Sequence, residues 1–292
     1  MKSFGYASKM VSGFLIASLV PLTILGFLVY QSSEGMRAGI GKSYQAAAES
    51  LIDRVERNLF ERYGDVQAFG FNSALQDKAS WYVVGSASNA IARVANQYAA
   101  LYGMYQLSVV VDLEGKVIAV NDRSPKGEPI DTAWLYDRSF KDASWFQDAL
   151  AGRFLKSPTL SGTVVQEVAV SEEVKKIYSD EGLVLGYSAP VTDRDGKAIA
   201  VWHNLVAFSV VEEMFEAVYR GFSKEGLSSA ALTLVDSTGR ILIQHHPKQR
   251  NGDSRVFRDM GVILRRNLKQ ESNPAAIAVV NGQAGYTEDT AE

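Results

Sequence analysis

Three times in this chain an aspartate, two variable residues, a glycine and a basic residue stand between two apolar, β-prone runs. Asp112-Leu113-Glu114-Gly115-Lys116 joins Leu107–Val111 to Lys116–Val120. Asp193-Arg194-Asp195-Gly196-Lys197 joins Gly186–Thr192 to Ala198–Val201. Asp236-Ser237-Thr238-Gly239-Arg240 joins Ala231–Val235 to Ile241–Gln244. The pattern has a physical basis. An aspartate carboxylate accepts hydrogen bonds from the amides of a tight turn, and a glycine takes the left-handed backbone that closes it. Three antiparallel hairpins are therefore expected.

The first and third hairpins each follow a helical stretch. Lys78 to Tyr102 places Val84, Ala87, Ile91, Val94, Tyr98 and Leu101 on one face, with Gly103 as a stop, and Ser209 to Lys224 has the same character. Helix then hairpin, twice, reads as one α+β module used in tandem. A second-module equivalent of the Asp193 hairpin would fall beyond Glu292. The polar stretch from Gln283 to Glu292 then reads as the approach to a missing strand, and the second module is expected to be incomplete.

Ahead of the modules, Met10 to Ser33 carries no charge and Val11 to Tyr30 is almost wholly apolar. At helical rise this stretch matches a hydrocarbon core roughly 30 Å thick. Pro21 and Gly26 are tolerated in such helices. The run is longer than a secretory signal core and lacks a small-residue cleavage site, so a retained anchor is expected. Lys2 and Lys9 favour a cytoplasmic N-terminus, opposed in part by Arg37 and Lys42. Beyond it Ile40, Tyr44, Ala47, Leu51, Val55, Leu59, Arg62/Tyr63 and Val66 recur at helical spacing, opposite Glu49, Asp53, Arg57 and Glu61. That predicts a long stalk helix packing against a partner, within the chain or in a homodimer. The expected organisation is a cytoplasmic tail (1–9), a transmembrane helix (10–31), the stalk (32–73), a membrane-distal module (74–207) and a membrane-proximal module (208–292). The bulk would lie outside the inner membrane of a bacterium.

Composition narrows the function. A net charge of −3 argues against a nucleic-acid partner. With no cysteine there is no disulfide, zinc-thiolate site or thiol nucleophile. No nucleophile elbow, phosphate loop, zinc-protease motif or dinucleotide fingerprint occurs, so neither an enzyme nor a cofactor is implied. His245 and His246 are adjacent on a strand and point to opposite faces, which disfavours a metal site. His203 reads as a packed strand residue. Ser171-Glu172-Glu173 and Ser179-Asp180-Glu181 read as solvated loops.

Taken together, the anchor, stalk and tandem modules resemble the double-Cache sensor of bacterial transmembrane receptors. Val109 to Asn121 resembles its first hairpin, Ser144-Trp145-Phe146-Gln147-Asp148-Ala149 the aromatic pair of its pocket-lining helix, and Gly186 to Asp193 its later strand. Arg57 to Phe69 is similar to the stalk of methyl-accepting chemotaxis proteins. The resemblance implies an α+β chain with two PAS-like (Cache) modules, the distal one binding a small molecule and the proximal one relaying the event to the membrane. The same sensor serves histidine kinases and diguanylate cyclases; an anchored adaptor with no ligand is the reading outside sensing. Implied ligand contacts are Trp145, Phe146, Tyr187, Trp202 and Asn204, with Arg138 as a carboxylate anchor. Ordinary core packing competes for the aromatics, and a surface ion pair with Asp131, Asp137 or Asp142 competes for Arg138. The amino-acid-binding subset carries an arginine where this chain has Ala143, a tyrosine where it has Arg138 and an aspartate where it has Asn204. Loss of both charged anchors argues against an α-amino-acid ligand, because a desolvated zwitterion needs an opposite charge at each end.

Overall fold

The structure, a computed structural model, describes residues 6–156, 161–246 and 255–286; in the first helix, side chains are described at Leu19 and from Pro21 onward. Contacts divide the chain into two units, Met1–Ser50 with Gly282–Glu292, and Leu51–Asn281. Helix α1 (Tyr6–Gly70) runs without a break through the expected anchor and stalk. In the first unit its side chains at Leu22, Leu25, Phe27 and Leu28 are exposed. Part of the expected anchor lies outside the described side chains, and among the described residues no helix is long and apolar enough to cross a membrane. The expectation for Gln283 to Glu292 extends over residues 287–292, which lie outside the described residues.

The second unit is built on a five-stranded antiparallel sheet, ordered β2-β1-β5-β4-β3. Its strands are β1 (Tyr105–Asp112), β2 (Val117–Val120), β3 (Val164–Val170), β4 (Leu183–Thr192) and β5 (Ala198–Ala207). Most positions of β1, β2, β4 and β5 are buried. Both faces are covered, which is why these strands read as apolar runs and not as an alternation. One face packs against α1 and α2 (Ala90–Tyr102) through Val110, Ile118, Leu185, Tyr187, Ala189, Val191, Trp202 and Val206, meeting Leu51, Val55, Val66 and Phe69. Phe69 stacks on Tyr98 at 3.9 Å and meets Trp202 edge-on at 5.7 Å. The other face carries Leu107, Val109, Val111, Val184, Val201 and Leu205 under α3 (Ser144–Leu150) and α4 (Glu172–Tyr178).

After β5, α5 (Ser209–Lys224) leads to the hairpin β6 (Leu232–Val235) and β7 (Ile241–His245), and α6 (Pro274–Val280) follows. Phe208, Val211, Phe215, Leu242, Ile243 and Ile263 belong to the same core as the helix-facing side of the sheet. The hairpin is thus tied to the large sheet by continuous apolar packing.

All three expected turns form, with the same hydrogen bonds. Asp112 Oδ1 accepts from the amides of Glu114 (3.0 Å) and Lys116 (2.9 Å), Asp193 Oδ1 from Asp195 (3.0 Å) and Lys197 (2.9 Å), and Asp236 Oδ1 from Thr238 (2.9 Å) and Arg240 (2.9 Å). Gly115, Gly196 and Gly239 sit at φ of +81, +79 and +89°, the region where a side chain is penalised.

Two local expectations are corrected. The helix expected from Lys78 begins only at Ala90. Lys78–Ser80 is a 3-10 turn, Gly85 takes φ +84°, and the Asn89 side chain caps the true start by accepting from Ile91 and Ala92. Val84 is accordingly exposed. Polar side chains bonding the nearby backbone outcompete helix here. Ser171-Glu172-Glu173, expected as a solvated loop, opens α4: Ser171 Oγ accepts from the Val174 amide, and both glutamates occupy the first turn, where the helix dipole favours negative charge.

Candidate functional site

A cavity of about 710 Å³ opens over the second face of the sheet. Leu107, Val109, Val184, His203 and Leu205 form its floor, Phe140 and Trp145 one wall, and Arg138, Asp142, Glu167, Glu173 and Arg240 supply its charges. This size lies within the range of small-molecule sites.

Trp145 is fixed from both sides. Its indole stacks on the His203 imidazole with centroids 4.1 Å apart and planes 4° from parallel, and Phe140 lies against it at 5.5 Å. Helix α3 buries Trp145 and Phe146 together because consecutive positions both face the sheet. His203 Nδ1 is 2.7 Å from Ser188 Oγ, its cross-strand partner on β4. Burial pulls the His203 pKa down to about 3, so the ring is neutral at physiological pH.

Arg138 projects from the end of a 3-10 turn (Ala133–Asp137). Its guanidinium pairs with Glu173 of α4 at 2.6 Å and lies over the rings of Trp134 and Phe140. The neighbouring aspartates expected to hold it do not. Arg240, in the β6–β7 turn, is held by Asp236 at 2.8 Å and reaches Glu167 of β3 at 3.7 Å. Glu167 also accepts from Ser237 Oγ at 3.4 Å.

Of the six candidate residues, Arg138 and Trp145 line this cavity. Phe146 is buried in the core beside it. Tyr187, Trp202 and Asn204 stand on the opposite face of the sheet, toward α1 and α2. There Trp202 Nε1 and Ser108 Oγ both donate to Asn204 Oδ1, each at 2.7 Å. Among the described residues, the Tyr187 hydroxyl and Asn204 Nδ2 are buried without a hydrogen-bond partner, and burial raises the Tyr187 pKa. The cause is strand parity: on β5, Val201, His203 and Leu205 lie on the side of the sheet that bears the cavity, His203 and Leu205 lining it, while Trp202, Asn204 and Val206 face the helices. His203, Glu167, Glu173 and Arg240 are not among the ligand contacts expected from the sequence, which reads His203 as a packed strand residue and Glu173 as part of a solvated loop. For His203 the signal was its phase with Val201 and Leu205; for the other three nothing local distinguishes them.

His245 packs edge-on to Tyr219 at 5.1 Å, and among the described residues no group of three or more His, Cys, Asp or Glu side chains is placed to hold a metal.

No protein-family model and no curated protein matches the chain. Solved structures do. The sensory domain of the Campylobacter jejuni chemoreceptor Tlp3 is similar at 14% identity and TM-score 0.52, covering 75% of this chain and 77% of its own. The fold is that of a bacterial chemoreceptor sensory domain. The ligand-binding domain of the Pseudomonas fluorescens chemoreceptor CtaA, in complex with L-isoleucine, is similar at 14% identity and TM-score 0.48, over 83% of this chain and 78% of that one. For the Pseudomonas aeruginosa amino acid chemoreceptor PctC in complex with GABA, the values are 18%, 0.45, 82% and 81%. The likeness to the Tlp3 sensory domain meets the Cache-type resemblance read from the sequence at the level of fold, as an antiparallel sheet behind a long N-terminal helix.

Proposed function

We propose that this chain is the extracytoplasmic sensor of a methyl-accepting chemotaxis receptor, a non-enzymatic module that binds a small molecule in the cavity beneath α3. The carrying observation is that cavity, walled by the immobilised Trp145, in a chain with the fold of a chemoreceptor sensory domain. The binding residues are Arg138, Trp145, His203, Glu167 and Glu173; Phe146, Tyr187, Trp202 and Asn204 support the sheet from outside the cavity. Residues 10–31 anchor the chain in the bacterial inner membrane, for which the exposed Leu22, Leu25, Phe27 and Leu28 are support. Residues 32–73 form the stalk of a homodimer, 74–207 the distal binding module and 208–292 the proximal module. An α-amino acid is a poor fit to this site: Ala143 offers no cation, and Arg138 already pairs with Glu173.

The test is thermal unfolding of the full-length chain with a panel of amines, organic acids and nucleobases. At least one compound should raise the melting temperature, and Trp145→Ala should abolish that rise. Trp202→Phe, on the other face, should leave it intact. If no compound stabilises the chain, the sensing assignment fails; if Trp202→Phe alone abolishes the rise, the cavity is not the site.

A further inference from the structure

The charges around the cavity do not balance, and the imbalance bears on what enters it. Two guanidinium groups line the space, and both are taken: Arg138 by Glu173 at 2.6 Å, and Arg240 by Asp236 at 2.8 Å. Asp142, Glu167 and Glu173 line it as carboxylates. Asp142 is exposed, and its side chain has no hydrogen-bond or ion-pair partner among the described residues. Among the described residues, Glu167 holds only the 3.7 Å contact with Arg240 and the 3.4 Å hydrogen bond from Ser237. His203 is buried and neutral and offers no compensating charge. With Asp236 included, four carboxylates face two cations.

From this geometry we propose that the cavity takes a small organic cation, an ammonium group on an apolar body, with the ammonium between Glu167 and Asp142 and the body on Leu107, Val109, Leu205 and Trp145. The proposal rests on the sensor reading above and specifies the ligand class of that site. A carboxylate ligand would have to share Arg138 with Glu173 at 2.6 Å or Arg240 with Asp236 at 2.8 Å, guanidinium groups whose charge is already partly neutralised, and would sit beside the unpaired Asp142 and the weakly paired Glu167. An ammonium meets carboxylates that lack a close partner, at a mouth whose net charge already attracts it.

The position of Arg240 gives this binding a consequence. It belongs to the β6–β7 turn, whereas Glu167 belongs to β3 of the large sheet, so their contact bridges sheet and hairpin. An ammonium that captures Glu167 replaces Arg240 there. The guanidinium stays with Asp236 inside its own turn, and the ion pair from sheet to hairpin is released while the Ser237 hydrogen bond and the apolar core between them persist.

The experiment uses two probes of nearly equal shape and opposite charge, 2-phenylethylamine (cationic at pH 7) and 3-phenylpropanoate, titrated into the full-length chain by calorimetry and by thermal unfolding. The amine should bind and stabilise, and the acid should not. Glu167→Gln should lower affinity for the amine about tenfold, Asp142→Asn less, and neither should change the melting temperature of the unliganded chain, since both side chains are on the surface. Absence of amine binding, preference for the acid, or indifference to Glu167→Gln each overturns the proposal. Preference for the acid leaves the sensor reading standing, because the cavity would still bind; failure of the whole wider panel removes both.

Discussion

His203 makes stability depend on pH in a way that can be calculated. In the unfolded chain its imidazole titrates at the ordinary value of 6.5, and in the fold burial holds it near 3. Between those values the unfolded state binds a proton that the native state does not. Stability is therefore complete above about pH 7.5 and falls as pH drops through 6.5. The loss from this one residue is about 2 kcal/mol at pH 5 and about 3 kcal/mol at pH 4, large against a total of roughly 5–15 kcal/mol for a folded domain. The perturbation is His203→Phe, which keeps an aromatic plate against Trp145, cannot titrate, and loses the 2.7 Å contact with Ser188. That lost hydrogen bond costs the variant about 1 kcal/mol at pH 7.5. Below pH 6 the order reverses, and at pH 5 the variant is more stable by about 1 kcal/mol. Asp122 and Asp236, whose pKa values are lowered by hydrogen bonds, also lose stabilisation in acid, but equally in both proteins, so the difference isolates the histidine. Urea unfolding at half-unit steps from pH 4.5 to 7.5, followed by tryptophan fluorescence, gives both curves. Parallel curves across that range would refute the reasoning, because they would mean that His203 ionises within the fold at little cost.

Other substitutions test separate parts of the structure. Gly115 sits at φ +81°, and a Cβ there would collide with the Lys141 backbone, while its carbonyl accepts the Phe140 amide at 2.8 Å. Gly115→Ala should cost about 2 kcal/mol or more in urea and weaken ligand binding, because Phe140 is a cavity wall; unchanged stability would contradict the turn geometry. Arg62, 5% exposed, pairs with Asp65 at 3.1 Å, and Asp65 accepts from Tyr105 at 2.5 Å. Arg62→Met should cost about 3 kcal/mol by leaving that carboxylate uncompensated, and a change below 1 kcal/mol would show it to be solvated. Asn89 is fully buried, caps α2 with two amides and donates to Val83 and Ile118. Asn89→Ala should destabilise by about 2–3 kcal/mol, read from the urea midpoint.

How much the sequence discloses depends on the range of the interaction. The D-x-x-G-[KR] turns were legible because every hydrogen bond that defines them lies within five residues, so three separated segments reach the same geometry independently of their surroundings. The heptad-like spacing from Leu51 to Val66 was legible for the same reason: periodicity is local and the face it buries is the one observed. The start of α2 was not, because Gly85 and the Asn89 cap override a helical apolar pattern from Lys78 onward. The cavity shows the stronger limit. Aromatic and polar residues at 187, 202 and 204 look alike whichever way their strands face, and a sheet covered on both sides carries no polar alternation to reveal the phase. A single step in parity moves Trp202 and Asn204 to the helices and brings His203 under Trp145. Glu167 and Arg240 meet only because the third hairpin, β6–β7, comes up against β3, the edge strand of the large sheet, which no local pattern encodes. The residues that line the cavity are here those whose neighbours come from remote parts of the chain. The proposed sensing needs such residues, since a ligand can bias a fold only through contacts that differ between its arrangements, and Glu167 to Arg240 is the contact that the proposed ligand would exchange for its own.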